Sequence, residues 1–183
     1  MPYFEEDQMT CETTSVKQHA EWRYMSQRAV RYLSRFPSSE RRFRTTMRKA
    51  LKTRLEKRGE EGDLDEEVFV NALVDYTEAL GYLNDSRLAQ GLLNSYRRRG
   101  DAKRLIRQKL QRKGLTSTVI DEALSREDDT SELEAALAFV EKKRLWREWR
   151  SEDYKVRQKV LQRMARRGFA YGIAKAALEA KGS

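Results

Sequence analysis

Apolar residues along this chain recur every three to four positions rather than every second one, and the stripes they draw predict helices from end to end. The first stripe joins Trp22, Met25, Ala29, Tyr32, Leu33 and Phe36, and it ends there because Pro37 disfavours the α conformation in the residue before it. Ser38 or Ser39 can cap a second helix, which carries Phe43, Met47, Leu51 and Leu55 and stops at Gly59. A third starts in the acidic turn 63–67, where carboxylates favour a helix N-terminus. It turns Phe69, Ala72, Leu73, Tyr76 and Leu80 inward, and Gly81 follows as a left-handed C′ residue. Asn84 and Asp85 open the next helix, with Leu88, Ala89, Leu92 and Tyr96 inward and Gly100 at its end. Then come a helix with Ala102, Leu105, Ile106 and Leu110 inward, ending at Gly114, and a short one capped by Thr116 with Val119, Ile120, Ala123 and Leu124 on its face. Ser131 and Glu134 form a capping box before the stripe Leu133, Ala136, Leu137 and Val140. The last two stripes are Val156, Val160 and Met164, stopping at Gly168, and Ile173, Ala174, Ala177 and Leu178. With no alternating strand pattern of useful length, the predicted fold class is all-α: nine helices in three groups of three.

Two of these groups share a motif. Residues 103–124, KRLIRQKLQRKGLTSTVIDEAL, align with residues 157–178, RQKVLQRMARRGFAYGIAKAAL, at a constant shift of 54 positions. Ile106 falls on Val160, Leu110 on Met164, Gly114 on Gly168, Leu115 on Phe169 and Leu124 on Leu178. Repetition at this period marks a helical brick. The predicted organisation is an acidic tail over 1–18 and three-helix repeats over 19–82, 83–127 and 128–183. Three-helix units of about 45 residues are near the lower size limit for independent folding. Stacking them in an elongated, curved array lets neighbours share apolar faces.

Charge changes the picture from scaffold to binder. The net charge is +9, and residues 97–113 hold nine Lys or Arg against one acid, Asp101. Candidate nucleic-acid or filament-binding residues are Arg97, Arg98, Arg99, Lys103, Arg104, Arg107, Lys109, Arg112 and Lys113, with Arg157, Arg163, Arg166 and Arg167 from the second copy of the motif. Incidental solvated charge would not need to recur at the same offsets. Contacts of this kind grip a phosphate backbone without reading sequence, and their strength falls steeply with salt.

Catalysis has little to stand on. His19 is the only histidine and Cys11 the only cysteine, so neither a disulfide nor a cysteine metal cluster is expected. No Walker-type phosphate loop occurs. The acids near 63–67 and 128–134 fit helix capping better than metal binding. No catalytic residue, cofactor or metal is therefore expected. No apolar run approaches the roughly 20 residues of a membrane helix, and the opening MPYFEEDQMTCE is unlike a signal peptide, so the expected location is cytoplasmic. Trp146 and Trp149 could stack on single-stranded bases or seal the junction between the second and third repeats; packing is the better reading. Tyr96 leans to the core.

Residues 80–114, LGYLNDSRLAQGLLNSYRRRGDAKRLIRQKLQRKG, closely resemble the signature region of the RecX regulators of the bacterial recombinase RecA. The most characteristic parts are Gly81-Tyr82-Leu83-Asn84-Asp85 and the arginine run followed by Ile106-Arg107-Gln108-Lys109-Leu110 and Lys113-Gly114. A weaker likeness extends over 28–44 and 155–178. The resemblance implies three tandem three-helix repeats and a non-enzymatic protein, expected to be monomeric, that binds RecA and its filament on single-stranded DNA. It further implies lodging in the filament's helical groove and inhibition of ATP hydrolysis, strand exchange and RecA-stimulated repressor cleavage, hence a role in recombination, repair and the SOS response. Implied partners are RecA protein, the RecA–DNA filament, and single- or double-stranded DNA, with no membrane. Three features depart from the family: the helix over 40–57 is longer and more basic than expected, the acidic segment 60–67 is unusual, and the N-terminal tail is long. The alternatives are an autonomous, sequence-nonspecific nucleic-acid-binding protein not acting through RecA, which would not require the 81–85 signature, and a purely structural adaptor.

Overall fold

A computed structural model of the chain describes residues 16–59, 64–125 and 129–182. Cys11 and most of the expected tail, the acidic residues 60–63, and the Ser131 side chain of the expected capping box lie outside the described residues. Every regular element among the described residues is helical. The chain divides into two compact units, Met1–Leu88 and Ala89–Ser183.

The first unit is built on α1 (Trp22–Arg35), α2 (Glu40–Arg58) and α3 (Glu66–Ala79). Each packs on the other two. Met25, Ala29 and Leu33 of α1 meet Phe43, Met47, Leu51 and Leu55 of α2 and Phe69, Ala72 and Leu73 of α3 in one buried cluster. Trp22 closes one edge of the cluster, its ring edge-on to Phe69 and Tyr76. Val16, which the sequence reading leaves in the tail, is buried in the same core. The caps follow the local sequence. Ser39 accepts the Arg42 amide, and Asp65 accepts the amides of Glu67 and Val68. The Glu40 amide donates to Asp85 Oδ1 at 2.9 Å, so a residue 45 positions away completes the start of α2. Phe36 departs from its expected place on the α1 stripe and is 60% exposed. Pro37 drives its backbone to φ −133°, ψ 82°, which swings the side chain off the helical face. Leu80, just past the end of α3, is likewise exposed.

Helix α4 (Asp85–Arg98) crosses the unit boundary, with the Arg87 amide capped by Asn84 Oδ1 at 2.8 Å. The second unit continues with α5 (Lys103–Arg112), α6 (Ser117–Ser125), α7 (Asp129–Lys142), α8 (Leu145–Trp149), α9 (Tyr154–Arg166) and α10 (Tyr171–Gly182). Short α8 is absent from the sequence-based plan, which treats that stretch as a connection. It starts after Arg144, a non-glycine residue held at φ 52°, and drops the fully buried Leu145 into the core. Phe139 and Val140 of α7, Val160 and Met164 of α9, and Ala174, Ala177 and Leu178 of α10 surround Leu145.

The repeated motif ends in the same geometry both times. Gly114 and Gly168 have φ of 88° and 91°. In each copy the glycine amide bonds a carbonyl three residues back, Gln111 or Ala165, and the next amide, of Leu115 or Phe169, bonds the carbonyl five residues back. This is the Schellman closure, which satisfies carbonyls that the helix leaves unpaired and needs a left-handed residue. Gly81 and Gly100 close α3 and α4 in the same way.

Candidate nucleic-acid interface

Basic helix α5 is held in place by residues of the second motif copy and of α7. Its N-cap residue, Ala102, has no side chain that can cap. Instead the Ala102 amide donates to the Arg167 carbonyl at 2.9 Å, and the Lys103 amide donates to both carboxylate oxygens of Glu132 at 3.2 Å. A helix N-terminus with its partial positive charge thus meets a helix C-terminus and a carboxylate. The approach is close: a Cβ at Gly168 would stand 2.9 Å from Leu105 Cβ and 3.0 Å from the Leu105 nitrogen. At Gly100 it would stand 2.8 Å from the Phe139 ring.

The predicted cations divide by what they touch. Asp101, the lone acid in the basic run, is completely buried and ion-paired to Lys109 and, at 2.7 Å, to Arg167. Arg97 pairs with Glu132 at 2.8 Å and is only 14% exposed. Lys109 and Arg167 are thus engaged in joining the two motif copies, and Arg97 in tying α4 to α7. Arg107 reaches Asp121 at 2.5 Å on the surface, and Arg163 bonds both oxygens of Glu148 at 2.7 Å. Arg157 donates to the Ser151 carbonyl and lies over the Trp149 ring. Arg98, Arg99, Arg104, Arg112, Lys113 and Arg166 are exposed, Arg166 bonding back to the Gln162 carbonyl of its own helix. Lys103 is half-buried.

Lys103, Arg104 and Arg107 line a groove of about 640 Å³ together with Glu132 and with Phe169 and Tyr171 from the second motif copy. Tyr171 is 66% exposed at the start of α10. Three cations beside an exposed ring can hold phosphates while a base stacks on the ring. The groove does not gather Arg157, Arg163 or Arg166. Trp146 and Trp149 pack on the hydrophobic core, Trp146 with the guanidinium groups of Arg147 and Arg150 at about 5 Å, and Tyr96 is buried with Lys109 Nζ over its ring.

Sequence reasoning passes over Tyr171, Asp101 and Glu132. Asp101 carries a readable signal, as a single acid amid nine cations; Tyr171 carries none beyond its place two residues past the repeated Gly168-Phe169. Among the described residues, no cluster of His, Cys, Asp and Glu could hold a metal ion, and no helix is long and apolar enough to cross a membrane.

These features define a class first: an all-helical protein made of three-helix domains. Residues 84–124 match the family model for the second three-helix domain of RecX, and residues 130–178 match that for the third. The chain is 31% identical to the regulatory protein RecX of Myxococcus xanthus across 85% of its own length and 84% of that protein. It is 32% identical to the regulatory protein RecX of Clostridioides difficile across 63% of its length, spanning only 54% of that relative. A crystal structure of RecX from Lactobacillus salivarius shares the fold, with a TM-score of 0.64 at 20% identity, covering 86% of this chain and 94% of that one. The chain belongs to the RecX family.

Proposed function

We propose that this protein is a non-enzymatic regulator that binds RecA and the RecA–single-stranded DNA filament and inhibits the filament's ATPase, recombinase and coprotease activities. The observation that carries the reading is the groove in which the first motif copy supplies Lys103, Arg104 and Arg107 and the second supplies Phe169 and Tyr171, in a chain whose relatives are regulatory RecX proteins. A filament presents a continuous track of phosphate and acidic protein surface, and cations set beside an aromatic ring fit such a track better than a small-molecule cavity. In this reading the protein acts in the cytoplasm, as a monomer and without a cofactor.

Titration of RecA's DNA-dependent ATPase with the full-length protein tests the proposal. Hydrolysis should fall at stoichiometric amounts, and Arg104→Gln with Tyr171→Leu should need several-fold more protein for the same effect. An ATPase rate indifferent to a molar excess would sink the reading. Capture of the protein by RecA after nuclease treatment separates it from the alternative of a nucleic-acid-binding protein that ignores RecA, which predicts no capture.

A further inference from the structure

The first unit holds a concentration of positive charge that the matched family domains, beginning at residue 84, do not include. Helix α2 carries nine Lys or Arg against Glu40 and Glu56, and α1 adds Arg23, Arg28, Arg31 and Arg35 with no acid. Some of this charge is matched internally. Arg44 pairs with Glu40 at 2.6 Å, Arg48 with Glu67, and both Arg54 and Arg58 with the fully buried Glu21. Lys49 and Lys52 lie three residues apart on one exposed helix face, where like charges repel.

Between α1 and α2 runs a groove of about 500 Å³, lined by Tyr24, Arg28, Lys49, Thr53, Arg54 and Lys57 among others. Tyr24 is 42% exposed, and its ring is fixed from two sides. The Arg54 guanidinium, anchored on Glu21 at 2.7 Å, lies 4.2 Å from the ring centroid. Arg28 donates to the Tyr24 hydroxyl at 3.4 Å. The result is an oriented aromatic ring in a trough of cations, outside every contact described above for the second unit.

We infer that this groove is a second binding surface, for single-stranded nucleic acid, with phosphates against Lys49, Lys57 and Arg28 and a base stacked on Tyr24. The cations call for a polyanion. The exposed ring selects a single strand, because bases in a duplex are already stacked on one another and every unpaired base offers a face to an aromatic ring. The surface acts without RecA, so its test is independent of the function proposed above.

The test uses the full-length protein, a labelled oligothymidylate and a matching duplex, with binding followed by fluorescence anisotropy over a range of salt. Lys49→Gln with Lys57→Gln should lower the slope of log affinity against log salt by about 1.4, at about 0.7 per lost single-strand contact. Tyr24→Leu should weaken single-strand binding about tenfold or more and leave the salt slope unchanged, whereas Tyr24→Phe should bind as the parent does. These side chains are exposed, and circular dichroism confirms that the variants keep their fold. Unchanged affinity and slope in the Lys and Leu variants would overturn the inference. So would equal binding to duplex with no effect of Tyr24→Leu, or loss confined to an acidic probe such as polyglutamate, which would assign the groove to protein.

Discussion

Among the described residues, each unit buries one carboxylate completely and answers it with two cations, yet the two arrangements do different jobs. Glu21 is met by Arg54 and Arg58, four residues apart on the same helix, so it ties the start of α1 to one face of α2. Asp101 is met by Lys109, eight residues on, and by Arg167, 66 residues on, so it ties one copy of the repeated motif to the other. The first is a local brace and the second a weld between repeats. Removing one partner of a buried ion pair costs about 3–5 kcal/mol. Asp101→Asn keeps the volume and leaves cations that reach water, which places its loss near the low end, about 3 kcal/mol. Glu21→Gln should cost less, about 1–2 kcal/mol, because Arg54 keeps its stacking on Tyr24 and the Gln amide oxygen still accepts one bond. Urea unfolding followed by circular dichroism checks the order; equal midpoints would erase the distinction between brace and weld.

The glycines sharpen the same contrast. Gly81 in the first unit and Gly168 in the second have φ of 73° and 91°, so alanine at either adopts a left-handed backbone costing about 1–2 kcal/mol. At Gly81 a Cβ would meet nothing within 4 Å, whereas at Gly168 it would push into Leu105 backbone and side chain. Overpacking adds about 1–3 kcal/mol. Gly168→Ala should therefore lower stability by about 3 kcal/mol, roughly twice the cost of Gly81→Ala. Unfolding midpoints read both, and a Gly81 variant as damaged as the Gly168 variant would show that crowding at the weld is not the cause.

What was legible in the sequence follows the same line between local and distant. Ser39, Asp65, Asn84 and Thr116 cap where their type and position predict, because a cap is decided within three residues. The helix stops at Gly81, Gly114 and Gly168 were legible for the same reason, Gly81 as a left-handed C′ residue. Helix α8 was not, because a five-residue helix shows barely more than one turn of periodicity and its break sits on Arg144 rather than on glycine. Phe36 was misplaced because the apolar stripe and the Pro37 rule disagree there and the backbone rule wins. The basic character of α5 was plain, but not which cations face solvent. Lys109 and Arg167 are distinguished from Arg104 only by Asp101, and no helical periodicity reports a partner 66 residues away.

Acid should act on the brace in a defined direction. Burial pushes the Glu21 carboxyl up, but the bonds and charges of Arg54 and Arg58 outweigh it and hold the group below its usual 4.5. The unfolded chain then takes up this proton more readily than the folded one. The stabilisation from Glu21 is full above pH 4.5 and is lost as pH falls through the lowered folded value. Asp85 works the other way: burial raises it above 3.8 against the opposing bond from the Glu40 amide, so its folded form gains protons first and gains stability as pH falls through that window. Urea midpoints titrated from neutral to acid should drop less steeply for Glu21→Gln than for the parent and more steeply for Asp85→Asn. A Glu21→Gln profile parallel to the parent's would remove Glu21 from the acid response.

The smallest expected effect separates placement from net charge. Arg104 and Lys109 lie on the same helix and carry the same charge, but Arg104 is exposed on the groove wall and Lys109 is turned onto Asp101. Arg104→Gln should leave the unfolding midpoint unchanged and lower the salt slope of single-strand binding by about 0.7, the value of one phosphate contact. Lys109→Gln removes one unit of charge as well, yet it should lower the midpoint and leave the slope where it was, because a cation held on a buried carboxylate makes no phosphate contact and so releases no counterion from DNA. If both variants lose the same slope, binding follows the overall field of the basic run, and the partition of cations between weld and groove has no bearing on affinity.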